Sequence, residues 1–154
     1  MLFAIQAMCR VIRFVLARYG HYYQPDRRSH LTAFAFVYDK IKPDLQLCSI
    51  SGGTDIVSCF VLGCPVQPVF AGEIQTRGLG MKTDVLDEDG TSLIGKQGEL
   101  CCTAPFPAMP VKFWNDPDGS KYKAAYFEHF QGIWRHGDWA TMTCTRRHDH
   151  SWPV

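Results

Sequence analysis

Apolar residues in the first twenty positions fall at Leu2, Ile5, Met8, Cys9, Ile12, Val15 and Leu16, while Gln6, Arg10 and Arg13 gather on one side at helical spacing. The pattern predicts an amphipathic helix ending near Gly20. Its arginines interrupt it well short of the roughly twenty continuous apolar residues that a transmembrane helix needs. No basic stretch precedes the apolar part, as it would in a secretory signal, and the segment is poor in the serine of an organelle transit peptide. Packing on the body of the domain is therefore favoured over targeting. The following "HYYQPDRRSH" is polar and contains Pro25, and reads as a linker. Leu31, Phe34, Val37, Tyr38 and Ile41 then recur at helical intervals, predicting a short helix stopped before Pro43. "LQLCSI", residues 45–50, alternates enough for a strand.

From Val69 to Ala104, short apolar runs are separated by "RGLG", "DEDG" and "GKQG", a spacing that predicts a β-meander with "EDG" as a hairpin turn. The prolines of "APFPAMP" forbid a regular helix. A helix is expected from Lys121 to Phe130, followed by "GIWRHGDWATMTC". Periodicity stops in the last ten residues, "TRRHDHSWPV". There His148 and His150 flank Asp149 and could chelate a metal in passing, but a chain-end cluster of this kind is usually solvated and unstructured. The expected fold class is α+β, with a β-meander and flanking helices.

At 154 residues, 46% hydrophobic and 20% charged, the chain has the length and composition of one ordinary folded domain. A formal net charge of +1 supplies no overall basic field, so nucleic acid is not an expected partner. The seven cysteines are odd in number and lie mostly in apolar runs, where a free thiol behaves as a small hydrophobe. They predict a reduced, cytoplasmic chain. Neither Cys59/Cys64 nor Cys101/Cys102 has the spacing of a zinc knuckle.

The stretch of most chemical interest is "SISGGTDIV", residues 49–57. Its glycines permit close approach to backbone N–H groups that can face an anion, Thr54 adds a hydroxyl, and Asp55 suits the magnesium that accompanies phosphates. On its own such a glycine turn is more often a plain turn.

The wider context points further. "VYDKIKPDLQLCSISGGTDIVSCF", "PVFAGEIQTRGLGM", "GKQGELCCTAPFPAMPVKFWNDPDGSKYKAAYFEHF" and "GIWRHGDW" together resemble the acetoacetate-activating branch of the adenylate-forming acyl-CoA synthetase superfamily, over about residues 29–140. The resemblance implies part of the large N-terminal domain of such an enzyme, including a β-barrel-like part. It also implies a lipid-metabolic ligase reaction: ATP and acetoacetate give an acyl-adenylate, which coenzyme A then attacks. Gly53, Thr54 and Asp55 fall on the motif written aromatic-Gly-x-Thr-Glu, with Asp in place of Glu. There the Thr contacts the nucleotide phosphate and the acid assists Mg2+. Gly52 falls where acetate-specific relatives carry a tryptophan, and a glycine would open the acyl pocket to a four-carbon keto acid. Asp138 of "HGDW" matches the aspartate that grips the ribose hydroxyls, as a carboxylate facing two vicinal hydroxyls can do. "GEL", residues 98–100, matches a structural strand entry, and His136 is expected to be structural or a pocket wall.

Other parts of the family pattern are not found in these residues. No "SSGTTG-x-P-K" phosphate loop stands before residue 49, and "RRSHL" occupies the place of an "STG-x-P" motif. Beyond Asp138 the sequence departs from the family's hinge near Ala140, and no catalytic lysine of a mobile C-terminal domain follows. The expectation is a partial adenylation domain over 29–140, flanked by a divergent helix and linker at 1–28 and an unstructured tail at 141–154. Adenylation, which depends on charge and geometry from several groups at once, should be absent, and stability should be marginal. The alternatives are a non-catalytic nucleotide-binding or interaction module, and an inert pseudogene-type product.

Overall fold

The computed structural model describes residues 11–17 and 27–145, with the side chains of residues 32–143. In chain order the elements are β1 (Val11–Ala17), α1 (Arg27–Phe36) with a π-helical continuation at Val37–Ile41, β2 (Ser51–Gly53), β3 (Ser58–Leu62) and β4 (Thr76–Arg77). They continue with β5 (Thr83–Leu86), β6 (Gln97–Cys102), α2 (Ser120–Tyr126) and β7 (Trp134–Thr145). The strands form two antiparallel sheets, ordered β1-β7-β6-β5 and β2-β3-β4. The class is α+β, as expected. The barrel-like part that the resemblance implies is two open sheets, of which only β2-β3-β4 is a meander, and there is no closed barrel among the described residues.

Burial explains the sheets. β6 reads QGELCC and is buried from Gly98 to Cys102, so both of its faces are covered. Leu100 on β6, Val85 on β5, and Phe60 and Val61 on β3 are fully buried in one cluster with Ile56, Ile74, Phe106 and Trp134. Each such side chain contributes about 1.5–3 kcal/mol by leaving water. Aromatic edges meet faces throughout: Phe60 and Phe106 ring centroids are 5.2 Å apart, as are those of Phe106 and Trp134. The "EDG" turn forms between β5 and β6. Asp87 Oδ1 accepts from the Asp89 and Thr91 N–H groups, and Gly90 adopts the left-handed φ of 78° that a residue with a Cβ would resist.

The helix expected at 31–41 is present, starts earlier at Arg27, and gives way to extended backbone at Lys42, the conformation that Pro43 imposes on its predecessor. Four expectations need correction. Val11–Ala17 is a strand, not part of a helix, and pairs in unbroken register from Val11↔Thr145 to Ala17↔Trp139. Its sequence VIRFVLA is rich in β-branched and aromatic residues, and the free edge of β7 offers it a full ladder. The rest of the predicted helix at 1–20 lies outside the described residues. Residues 45–50 form no strand: Gln46 and Cys48 spend their side chains on the Cys64 carbonyl and on Gln75 Oε1. The second predicted helix ends at Tyr126, because Phe130 turns back to pack with Leu86 and Cys101. Residues 141–145, expected in the unstructured tail, complete β7. The His148–Asp149–His150 cluster lies outside the described residues. Among the described residues no helix is long and apolar enough to cross a membrane.

Candidate functional site

The strand that opens "SGGTD" is pressed against its neighbour. Ser51 pairs with Val61 but Gly52 pairs with Cys59, a register shift that marks a bulge. A Cβ at Gly52 would strike the Ser58 carbonyl oxygen and the Cys59 Cα, both backbone, so only glycine fits without moving the strand. Gly52 thus has a reason in the fold itself, besides the acyl-pocket role that the resemblance implies. A Cβ at Gly53 would fall on the Asp55 carboxylate, which folds back across it. Thr54 and Asp55 occupy the turn between β2 and β3 and are exposed. The turn closes through Val57, held at the left-handed φ of 48° that a β-branched side chain seldom adopts. The Tyr126 hydroxyl donates to Asp55 Oδ2 at 2.7 Å. Its ring lies flat on Trp134, with centroids 3.6 Å apart and planes 15° from parallel.

Asp138 is held from the other sheet. The Ser51 hydroxyl donates to Asp138 Oδ2 at 2.7 Å, and His136 Nε2 lies 3.5 Å from the same oxygen. The Asp138 side chain remains 37% exposed, whereas that of His136 is only 10% exposed. His136 also meets the ring of Phe60, with centroids 4.8 Å apart, as a pocket wall would. Gly137, just before Asp138, has a φ of 93° and donates its N–H to Glu99 Oε1 at 2.7 Å. Glu99 is itself buried, and its Oε2 lies 3.2 Å from Arg135 Nε. The buried carboxylate of "GEL" therefore pins the bulged stretch of β7 that presents Asp138.

The structure thus brings the two sequence-predicted regions together. Ser51 ties β2 directly to Asp138 on β7, and Asp55 reaches β7 indirectly, through Tyr126 and its stack on Trp134. Gly52, Gly53, Thr54 and Asp55 share one end of the β2–β3 hairpin.

Sequence reasoning overlooked Ser51 and Tyr126, and treated Glu99 only as part of a strand entry. It also missed Gln75, a fully buried amide. Gln75 Nε2 donates to the Cys64 and Gln67 carbonyls, while Oε1 accepts from the Cys64 N–H and the Cys48 thiol. Gln75 stands among Glu73, Thr76 and Arg77, so no break in an apolar run marked it for burial, and only its partners in the fold satisfy the buried amide. Ser51 and Tyr126 carried no signal either.

Electrostatics narrows the chemistry. Burial, then the neighbouring Glu99 carboxylate, pushes the Cys101 thiol up to about 12, which leaves it protonated and unsuited to nucleophilic attack. Burial, then the bond to Asp55, also raises the Tyr126 phenol above its ordinary range. Among the described residues no group of three or more His, Cys, Asp or Glu could by itself hold a metal ion. That donor set still fits Mg2+ carried in with a nucleotide, because Mg2+ takes one or two carboxylates and fills its remaining positions with water and phosphate oxygens. Asp55 is an exposed carboxylate at the end of the β2–β3 hairpin.

No family model matches the chain. Over 110 residues, 71% of this chain, it is 63% identical to acetoacetyl-coenzyme A synthetase of Rhizobium meliloti and spans 17% of that protein. It is 51% identical to acetoacetyl-CoA synthetase of Mus musculus over 110 residues, spanning 16% of that protein. Among solved structures, acetoacetyl-CoA synthetase from Streptomyces lividans matches 73% of this chain and 18% of its own length, with a TM-score of 0.67 and 46% identity. The two sheets and the helices are those of part of an adenylate-forming enzyme domain. Within that class, the matched segment is homologous to a portion of the acetoacetyl-CoA synthetases.

Proposed function

We propose that this chain carries the nucleotide-facing wall of an acetoacetyl-CoA synthetase adenylation domain. The parent reaction is that of an acid–thiol ligase: ATP-dependent activation of acetoacetate through an acyl-adenylate, then transfer to coenzyme A. The hydrogen bond from Ser51 to Asp138 carries the reading, because it holds "SGGTD" against "HGDW" as one nucleotide site requires. In that site the half-exposed Asp138 carboxylate accepts the ribose hydroxyls and Thr54 donates to a phosphate. Asp55 is the carboxylate that would hold the Mg2+, which neutralises phosphate charge when bound. Gly52 contributes to the acyl side.

These 154 residues alone do not turn over. The phosphate loop, the hinge and the catalytic lysine that supply charge in the parent have no counterparts within them. Incubation with ATP, Mg2+, acetoacetate and coenzyme A is expected to release no pyrophosphate above a protein-free blank. Acetoacetate-dependent release would overturn the inactivity. A second reading, weak nucleotide binding without catalysis, is favoured by the exposure of Thr54, Asp55 and part of Asp138 at a site already assembled. Titration with labelled ATP tests it, with Asp138→Ala as the variant expected to lose binding. ATP binding that Asp138→Ala leaves intact would remove the site from consideration.

A further inference from the structure

We propose that Tyr126 is a positioning residue for the metal-bearing end of this site, its hydroxyl fixing the Asp55 carboxylate in the orientation that receives the cation accompanying ATP. The proposal rests on the nucleotide-binding reading above and adds to it a residue far from the "SGGTD" turn in sequence. Asp55 sits exposed on a turn, where a carboxylate would ordinarily sample several rotamers. Here one oxygen takes the Tyr126 hydroxyl at 2.7 Å, and the carboxylate lies folded over Gly53, where no Cβ competes for the space. Tyr126 is not free to wander: it stacks on Trp134, itself only 1% exposed, and meets Phe113, Tyr122 and Phe127 edge to face. The phenol therefore transmits the rigidity of the core to an exposed ligand. Partners of this kind matter because a carboxylate held in place by a second hydrogen bond meets its metal without first losing rotamer freedom. Removing such a partner typically weakens metal affinity about 10- to 100-fold.

The test uses the whole chain, with Mn2+ as a paramagnetic substitute for Mg2+. ATP binding is measured with and without Mn2+ for wild type, Tyr126→Phe, Asp55→Asn and the double variant. Near-UV circular dichroism reports on the Trp134 stack. The expected result is that Tyr126→Phe leaves metal-free ATP binding and the aromatic spectrum unchanged but weakens Mn2+–ATP binding about tenfold. Adding Tyr126→Phe to Asp55→Asn should then cost nothing further. Equal loss with and without metal, no loss in either, or additive losses in the double variant would each overturn the proposal while leaving the nucleotide site standing. A wild type that binds ATP in neither condition overturns the nucleotide reading itself, and this proposal with it. If Tyr126→Phe does not fold, 3-fluorotyrosine at position 126 keeps both ring and hydroxyl. Its fluorine resonance must then move on adding Mg2+–ATP and stay in place on adding metal-free ATP, and a resonance that ignores the metal overturns the proposal.

Discussion

The turn that carries Asp55 and the bulged stretch of β7 that carries Asp138 each combine glycine with a carboxylate, yet they are secured in different ways. Asp138 is braced from below by a buried carboxylate: Glu99 takes the Gly137 N–H, pairs with Arg135, and fixes the backbone immediately before Asp138. Ser51 and His136 then fix the side chain. Asp55 has an exposed turn beneath it and a single phenol above it. Asp138 is thus held by several groups at once, whereas Asp55 depends on one partner, which is itself fixed by its stack on Trp134. Loss of one contact should therefore disturb Asp55 more than Asp138.

Trp134 is where the two arrangements meet, so its removal is the most severe test of the contrast. It opens β7, the strand of Asp138, and it is the surface on which Tyr126 lies. Trp134→Ala removes a side chain that also packs on Phe60, Phe106 and Phe127, at an expected cost of about 3–5 kcal/mol. That is a large part of the roughly 5–15 kcal/mol holding an ordinary domain together. Leu79, Val111 and Trp114 are each more than 90% exposed, so their side chains add nothing to the core that Trp134 anchors. Thermal unfolding followed by circular dichroism should show no folded baseline for the variant. A cooperative transition near that of wild type would mean that Trp134 does not join the Asp55 turn to the Asp138 bulge.

Glu99→Ala separates them. It leaves Tyr126 and Asp55 untouched but deprives the Gly137 N–H and the Arg135 guanidinium of their acceptor. A hydrogen bond to a charged group is worth about 1.5–3 kcal/mol, so a loss of about 2 kcal/mol is expected in denaturant titration. ATP retention through Asp138 should fall with it even where the variant remains folded. If binding persists unaltered in folded Glu99→Ala, the bulged stretch of β7 around Asp138 holds its shape without the carboxylate, and the contrast with Asp55 disappears.

How far these features can be read in the sequence follows from the distance over which each is decided. The "EDG" turn was legible because Asp87, Gly90 and Thr91 settle it among themselves. The helix before Pro43 was legible because proline acts on its immediate neighbour. Val11–Ala17 was misread because its residues satisfy helical spacing and β-propensity alike, and the partner that decides, residues 139–145, lies at the other end of the chain. Thr54, Asp55 and Asp138 were reached through the family resemblance, since local chemistry alone allowed an ordinary turn. Their supports were not reached at all. Tyr126 and Asp55 are 71 residues apart, Ser51 and Asp138 are 87 apart, and no spacing rule in either segment announces the contact.

The smallest expected effect lies at the Ser51–Asp138 hydrogen bond, which joins the two regions directly. Ser51 is buried and Asp138 is partly open to solvent, so Ser51→Ala removes a donor from a carboxylate that water can still reach. The stability cost should be close to that of an ordinary hydrogen bond, about 1 kcal/mol, without the larger penalty of a stranded buried charge. The functional cost should be disproportionate. With Ser51 gone, His136 and the Glu99-braced backbone still hold Asp138, but nothing ties it to β2, and Thr54 and Asp138 no longer share a fixed frame. ATP affinity should drop by more than the stability loss accounts for, with metal-free and metal-bound ATP affected alike because the defect lies at the ribose end. Tyr126→Phe is expected to act on the metal-bound form alone. A Ser51→Ala variant whose loss appeared only with metal would place the weakness at Asp55 and reverse the assignment of the two ends.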